Sequence, residues 1–296
     1  MLSVRVGIVG VGSQTVRLLV ARATGDTIVP LCRERGVVGL GEELVRAGTI
    51  SDARLERLAA QVSEFGALAR AMGAERVEAV LSAPGREAVN AAVLTASVGH
   101  AAAATATTLS IEDFAEVAFH GALLGNPVTP DPVAVCDVGA TATIVAIGTR
   151  DGGPAYVRAV PLGSLTLSDS LGREQPSAAD LASAREAIGA AFARLIVPLP
   201  KTALVTGGSG RAIRKIVGRS VDLDACEAAL RIARRCSAAE IVRIHGLPPH
   251  RAETLAADAL ILQELHRRVA VPLEVSNTGH REGFAAKLAI ELTEAA

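Results

Sequence analysis

The feature that most constrains this chain is a pattern that occurs twice. Residues 4–9 are apolar and β-branched, Gly10-Val11-Gly12-Ser13-Gln14-Thr15 reads as a turn, and residues 16–21 return as a second strand. Residues 133–136 begin a second apolar strand, Asp137-Val138-Gly139-Ala140-Thr141-Ala142-Thr143 is its turn, and residues 144–148 return. Each turn combines backbone N–H groups with hydroxyls. A third strand, residues 202–205, runs into Thr206-Gly207-Gly208-Ser209-Gly210 and then a helix expected from Arg211. One glycine-containing turn of this kind is usually structural. Three at corresponding places in a duplicated chain point to a cradle for anions. The repeat predicts an α/β fold of two halves, with a cleft between them.

The rest of the pattern fits two such halves. Residues 51–72 read as a helix capped by Ser51, with Leu55, Leu58, Ala59, Val62, Phe65 and Leu68 on one face. A strand over 77–81, a helix over 86–98 and a helix opening at Ser110, with Glu112 and Asp113 in its first turn, complete the first half. Gly125-Asn126-Pro127, followed by Pro130 and Pro132, marks the boundary between domains 1–125 and 126–279. The second half adds a strand over 157–161, helices over 177–196, 224–236, 237–245 and 251–269, and a strand over 273–276. A last helix at about 280–296 is expected to pack back on the first domain.

Composition excludes several functions. Half of the 296 residues are hydrophobic and the net charge is −1, so a disordered chain is excluded. Mean hydropathy is +0.36, yet the longest apolar run, 133–148, is interrupted by Asp137 and is too short to span a bilayer. Five Phe, one Tyr and no Trp are too few rings for stacking on bases or sugars. No basic block stands out, so nucleic acid is not an expected partner. The cysteines, Cys32, Cys136, Cys226 and Cys236, form no CxxC pair, which argues against zinc or redox motifs. The N-terminus reads as a strand rather than a leader, and the expected location is cytoplasmic.

With these elements placed, the chain resembles the Ppx/GppA exopolyphosphatase and guanosine pentaphosphate phosphatase family, within the actin-like ATPase superfamily. Gly12-Ser13-Gln14-Thr15-Val16-Arg17-Leu18 is similar to the family's first phosphate turn, D-x-G-S-N-S-x-R-L. Leu40-Gly41-Glu42-Glu43-Leu44 and Gly48-Thr49-Ile50-Ser51 are similar to L-G-E-x-L…G-x-L-S. Ser82-Ala83-Pro84-Gly85-Arg86-Glu87-Ala88-Val89-Asn90 resembles the segment whose Arg and Asn face the family's cleft. Asp137-Val138-Gly139 opens the second phosphate turn, and Pro161-Leu162-Gly163-Ser164, Gly207-Gly208-Ser209, Gly246-Leu247-Pro248-Pro249-His250-Arg251-Ala252 and Arg281-Glu282-Gly283 continue the match. The similarity runs over roughly residues 1–288. It implies two actin-like (ribonuclease H-like) domains with an interdomain cleft.

The departures from the family pattern bear on activity. The Asp of the first turn is Gly10 here. Ser110-Ile111-Glu112-Asp113-Phe114-Ala115 matches S-G-x-E-E-A, so the implied general-base position is Phe114. In the second turn two glycines are Ala140 and Ala142, and the closing Glu is Ile144. Of the implied metal carboxylates only Asp137 remains, enough for a weak, phosphate-borne Mg²⁺. Implied phosphate contacts are Gly12, Ser13, Gln14, Thr15, Arg86, Gly139, Ala140, Thr141, Thr143, Gly207, Gly208 and Ser209. Arg17 is read instead as pairing internally. Hydrolysis of a phosphoanhydride needs an oriented water and a base, and Phe cannot be that base. The expectation is a binder of polyphosphate or guanosine polyphosphate with exopolyphosphatase activity weak or lost. Three alternatives stand beside it. One is an active hydrolase with its base moved to Glu112, Asp113 or Glu116. Another is a regulatory partner of an active paralogue, and the third an actin-like kinase or ATPase. A homodimer is a further expectation from the family.

Overall fold

A computed structural model of the chain describes residues 3–24, 27–126, 130–171, 175–218 and 221–294. Along the first half run β1 (Ser3–Val11), β2 (Thr15–Thr24), β3 (Thr27–Val37), α1 (Leu40–Ala47), α2 (Asp52–Ala71), β4 (Arg76–Leu81), α3 (Ala83–Glu87), α4 (Ala91–Ala102), β5 (Thr105–Thr108) and α5 (Ile111–Leu124). Then follow β6 (Val133–Val138), β7 (Thr143–Thr149), β8 (Gly153–Val160), α6 (Ser164–Leu171), α7 (Ala178–Phe192), β9 (Thr202–Thr206), α8 (Gly207–Val217), α9 (Leu223–Arg235), α10 (Ala238–His245), α11 (Pro249–Glu253), α12 (Leu255–Val269), β10 (Leu273–Val275) and α13 (His280–Glu294).

The chain divides into two units, Met1–Gly125 with Thr278–Ala296, and Asn126–Asn277. Pro127, read as part of the boundary, lies outside the described residues. Each unit carries one five-stranded sheet, in the order β3-β2-β1-β4-β5 and β8-β7-β6-β9-β10. In both, the first three strands are antiparallel and the last two join parallel to the first. The two sheets therefore share one topology, and both are of the mixed α/β, actin-like kind.

Burial follows the alternation of side chains along the strands. In unit 1, Val9, Val11, Val16, Leu18 and Val20 form one face and pack with Leu58, Val62, Phe65 and Ala69 of α2. On the opposite face α13 packs against β1, β2 and α5. The approach of α13 to α5 is close. A methyl group at Gly283 would overlap the Val117 carbonyl, and one at Gly121 would overlap the Gly279 carbonyl. In unit 2, Ala134, Cys136, Val138, Val145 and Ile147 pack under α7, α9 and α12. Burial pushes the thiols of Cys136 and Cys226 up to about 12, so both are inert core residues.

Several sequence-read elements shift. The helix expected over 86–98 is two helices, α3 and α4. Asn90 interrupts it: its amide donates to the Ile50 carbonyl (2.8 Å) and its carbonyl oxygen accepts from the Ile50 N–H (3.1 Å). The helix expected from Arg211 begins at Gly207, whose φ of 78° makes the turn. The helix expected to 196 ends at Phe192, and the one expected over 251–269 is divided at Thr254. Strand β3, helix α1 and strand β5 carry no clear periodic signal. β3 is an edge strand, mostly exposed and holding Pro30. Ser51 caps α2 as read, accepting from Arg54 N. The serines at the other helix starts also cap, Ser110 accepting from Asp113 N, and Ser177 and Ser237 making capping boxes with Asp180 and Glu240.

Candidate functional site

The first turn is held by the helix that follows the third strand. Gly12 N donates to the Thr15 carbonyl (3.0 Å), closing the turn. The Gln14 carbonyl accepts from Val38 N and Gly39 N (both 3.1 Å), and the Ser13 carbonyl from Gly41 N (2.7 Å). The second turn is built the same way. Gly139 N donates to the Ala142 carbonyl (2.9 Å). The Gly139 carbonyl accepts from Ser164 N (2.9 Å), and the Ala140 carbonyl from Leu165 N (2.9 Å) and Thr166 N (3.2 Å). Both turns thus have their carbonyls drawn onto the N-terminal end of an eight-residue helix, α1 or α6. In a planar trans peptide the C=O and N–H point in opposite directions. Tethering the carbonyls turns the following N–H groups away from the helix, and a row of such donors favours an anion.

The side chains at the turns divide into two sets. Thr143 is fully buried and its hydroxyl donates to the Leu162 carbonyl (2.7 Å), so this hydroxyl braces the turn. Ser209 is also buried; its hydroxyl donates to the Val138 carbonyl (3.3 Å) and accepts from Arg251 Nη1 (3.3 Å). Ser13 is buried. Gly12, Gln14, Thr15, Gly139, Ala140, Thr141, Gly207 and Gly208 are partly exposed. Asp137 lies within β6, opposite Thr206, whose hydroxyl donates to its Oδ2 (2.6 Å). Helix α8 starts directly beside it with no side-chain cap, leaving the first backbone donors of that helix unanswered by its N-cap Thr206. The structure therefore brings Asp137, the second turn and Gly207-Gly208 together at the C-terminal ends of the interior strands β6 and β9 of the unit 2 sheet.

A polar cluster lies underneath, in which the motif reading named Ser164, Ser209 and Arg251 but not Thr254 or Asp258. The Arg251 guanidinium rests against Gly208, where a Cβ would meet it at 2.5 Å. Arg251 Nη1 is 3.6 Å from Oδ2 of Asp258, a fully buried carboxylate. Thr254 also donates to that oxygen (3.2 Å). Burial pushes the Asp258 carboxyl above the usual carboxylate range, against the pull of Arg251 and of the Ser209, Thr254 and Ser164 hydroxyls. Ser164 in turn donates to the Gly139 carbonyl (3.2 Å). One buried carboxylate thereby links α6, α8 and the α11–α12 corner. A sequence signal existed: Arg251, Thr254 and Asp258 are spaced three and four apart across the α11–α12 junction.

In unit 1, Arg86 lies in the last turn of α3 and its Nη1 donates to the Leu109 carbonyl (2.9 Å). Burial pulls its guanidinium down, and the charges of Glu87 and Glu112 act the other way. Phe114, at the implied base position, is buried, its ring centroid 5.0 Å from that of His280. Glu112, Asp113 and Glu116 are exposed on the same helix. Asp113 is engaged with its cap, accepting from the Ser110 hydroxyl at 2.6 Å. Arg17 donates to the Thr15 hydroxyl (3.2 Å), the internal pairing expected for it.

Among the described residues no three His, Cys, Asp or Glu side chains converge to hold an ion. The donor set at the second turn is one carboxylate with Oδ2 already bonded, which fits an Mg²⁺ arriving on a phosphate chain and does not fit a resident ion. Among the described residues no helix is long and apolar enough to cross a membrane.

Comparison with known proteins agrees with the geometry. An uncharacterised protein of Streptomyces coelicolor is 28% identical over 276 residues, covering 87% of this chain and 82% of its own. Exopolyphosphatase 1 of Mycobacterium tuberculosis is 22% identical over 299 residues, covering 95% and 87%. The crystal structure of the Aquifex aeolicus Ppx/GppA family member superposes with a TM-score of 0.83 at 19% identity, covering 98% of this chain and 99% of that one. The model of the Ppx/GppA phosphatase family matches residues 19–291, and the chain belongs to that family.

Proposed function

We propose that this protein binds a phosphate chain, polyphosphate or guanosine polyphosphate, on the strand-end turns of its two units, and that its hydrolysis of that chain is weak or lost. The observation that carries the reading is the pair of turns whose carbonyls are tethered to α1 and α6. This leaves N–H edges for phosphate oxygens in a chain that belongs to a phosphatase family. Gly12 N and Gly139 N are spent inside their turns. In the interdomain cleft that the family resemblance implies, the contacts therefore come from the partly exposed Gln14, Thr15, Ala140, Thr141, Gly207 and Gly208. Asp137 would hold a phosphate-borne Mg²⁺, which would supply charge stabilisation to the phosphoryl oxygens.

Loss of activity follows from Phe114. A general base is worth about 10²–10⁴-fold, and the residue at its position is an aromatic ring stacked on an imidazole. A second reading keeps activity with Glu112 as base. What favours it is nearness to Arg86, on whose guanidinium the Glu112 charge acts. Pairing, with a second copy or with an active paralogue, and a cytoplasmic location belong to the same proposal.

The deciding measurement is phosphate release from long-chain polyphosphate with Mg²⁺, beside equilibrium binding of the same polymer. Tight binding with release near background supports a binder. Release at ordinary family rates that vanishes in Asp137→Ala overturns it, and loss in Glu112→Gln would locate the base.

A further inference from the structure

We propose that Arg281, seated over Gly10, is a phosphate-binding group in its own right: a phosphate, free or at the end of a chain, docks on its guanidinium. This deepens the function proposed above by naming a cationic contact in unit 1 that needs no divalent ion.

The argument begins with the face of β1 that α13 covers. Val4, Val6, Ile8 and Gly10 alternate onto it, and the first three are buried apolar side chains. Gly10 has none. A Cβ there would lie 3.1 Å from Arg281 Cδ and 3.3 Å from Cγ, so the arginine stem fills the space beside a side chain that is missing. Arg281 Nε is buried and has no hydrogen-bond partner among the described residues. The adjacent carboxylate is taken: Glu282 Oε1 accepts from Arg33 Nη2 (3.0 Å) and its Oε2 from Gly279 N (2.9 Å).

The surroundings add cations. Gly10 lies opposite Arg17 in the β1–β2 ladder, and Arg17 lies opposite Arg35 in the β2–β3 ladder. Residues directly opposite share a face, and like charges there repel. Gly10, Arg17 and Arg35 therefore form one row across β1, β2 and β3, with Arg281 above its glycine. Burial pulls the Arg281 guanidinium down and Arg33 adds to the effect, with Glu282 only partly offsetting it. A buried, unanswered cation is costly, and an anion relieves that cost. The guanidinium shares its charge with the two Nη groups, whose N–H donors suit the oxygens of a phosphate.

The test is calorimetric titration of the full chain with tripolyphosphate, in EDTA so that no divalent ion bridges. Wild type is expected to bind, and Arg281→Gln to bind at least tenfold more weakly, with Arg281→Lys in between. Gly10→Asp places a carboxylate against the guanidinium. It is expected to weaken binding at least tenfold while raising the melting temperature, a pairing of opposite signs that loss of folding cannot produce. Arg281→Gln and Gly10→Asp binding as wild type overturns the proposal. Arg281-dependent binding of tripolyphosphate without binding of long-chain polyphosphate supports this subsite and overturns the broader function. Long-chain binding indifferent to Arg281 does the reverse, and a wild type that binds neither anion overturns both.

Discussion

The Phe114 ring and the His280 imidazole lie 5.0 Å apart between centroids, inclined by 33°, and join α5 to the start of α13. The contact places the residue at the implied base position inside unit 1 packing, with only 5% of its surface exposed. Phe114→Glu is expected to gain activity and lose stability together. A carboxylate there lies beside His280, and with a base worth about 10²–10⁴-fold, phosphate release from polyphosphate should rise at least tenfold. Losing the ring and burying a charge should cost about 3 kcal/mol. Steady-state release and urea unfolding of the same preparation check both halves. A folded variant with no gain would remove Phe114 as the cause of the weak hydrolysis proposed above.

Gly163 supports the second turn through contact. A side chain there would collide with the Ala140–Thr141 peptide, the one whose carbonyl accepts from Leu165 and Thr166. Gly163→Ala should push the turn off the α6 N-terminus and destabilise unit 2 by about 1–3 kcal/mol. It should also weaken phosphate binding, because the tether is what orients the N–H groups. Ala substitution at Gly189, which has open space around it, is the control and should leave binding unchanged.

The Asp258 carboxyl is held above its ordinary value by burial, so its contribution to stability has a definite sign. A group whose folded value is raised binds a proton more readily folded than unfolded. Its stabilisation is present below the unfolded value, about 4, and is lost as pH rises through the raised folded value. Asp258→Asn keeps the shape and removes the titration. Unfolding free energies measured across the acid range should therefore fall less steeply with rising pH in the variant. Asp258→Ala leaves Arg251 without its buried partner and should cost about 3 kcal/mol at neutral pH. Identical pH profiles for wild type and Asp258→Asn would show that this carboxyl does not titrate differently on folding.

Much of the frame was legible because apolar alternation and caps are local signals. The strands read over 4–9, 133–136 and 202–205 and the helices opening at Ser51, Ser110, Ser177 and Ser237 are present. But β1 and β6 run on through Gly10-Val11 and Asp137-Val138, which read as turn because glycine and aspartate interrupt the apolar run. What escaped depends on partners distant in the chain. Asn90 breaks a helix because Ile50 offers it a peptide. β3 is a strand because β2 pairs with it, although its residues read as exposed and charged. At the candidate site, turn residues were legible as glycines and hydroxyls, but not which hydroxyls would be spent inside. Thr143 and Ser209 match a phosphate motif and are occupied by Leu162 and by Val138 and Arg251. Arg281 over Gly10 was invisible for the same reason, since the two positions are far apart in sequence and meet only when α13 lies on β1.

The docking of α13 on α5 gives the last prediction. Gly283 faces the Val117 carbonyl, and Gly121 faces the Gly279 carbonyl, so each helix brings a glycine to the other's backbone. Neither neighbour is a flexible side chain that can step aside. The helices must separate to admit a methyl group, and that separation also disturbs Phe114 on His280 and Arg281 over Gly10. Gly283→Ala is therefore expected to destabilise unit 1 by about 3 kcal/mol or more, at the upper end of overpacking costs. Ala286→Gly, on the same helix at a partly exposed position, should cost only about 1 kcal/mol, the intrinsic helix penalty. Denaturant unfolding with hydrogen exchange separates the two cases. Gly283→Ala should speed exchange in α5 and α13 together and leave α9 and α12 of unit 2 as in wild type. Unchanged exchange in α5 would mean that the two helices do not hold each other through these glycines.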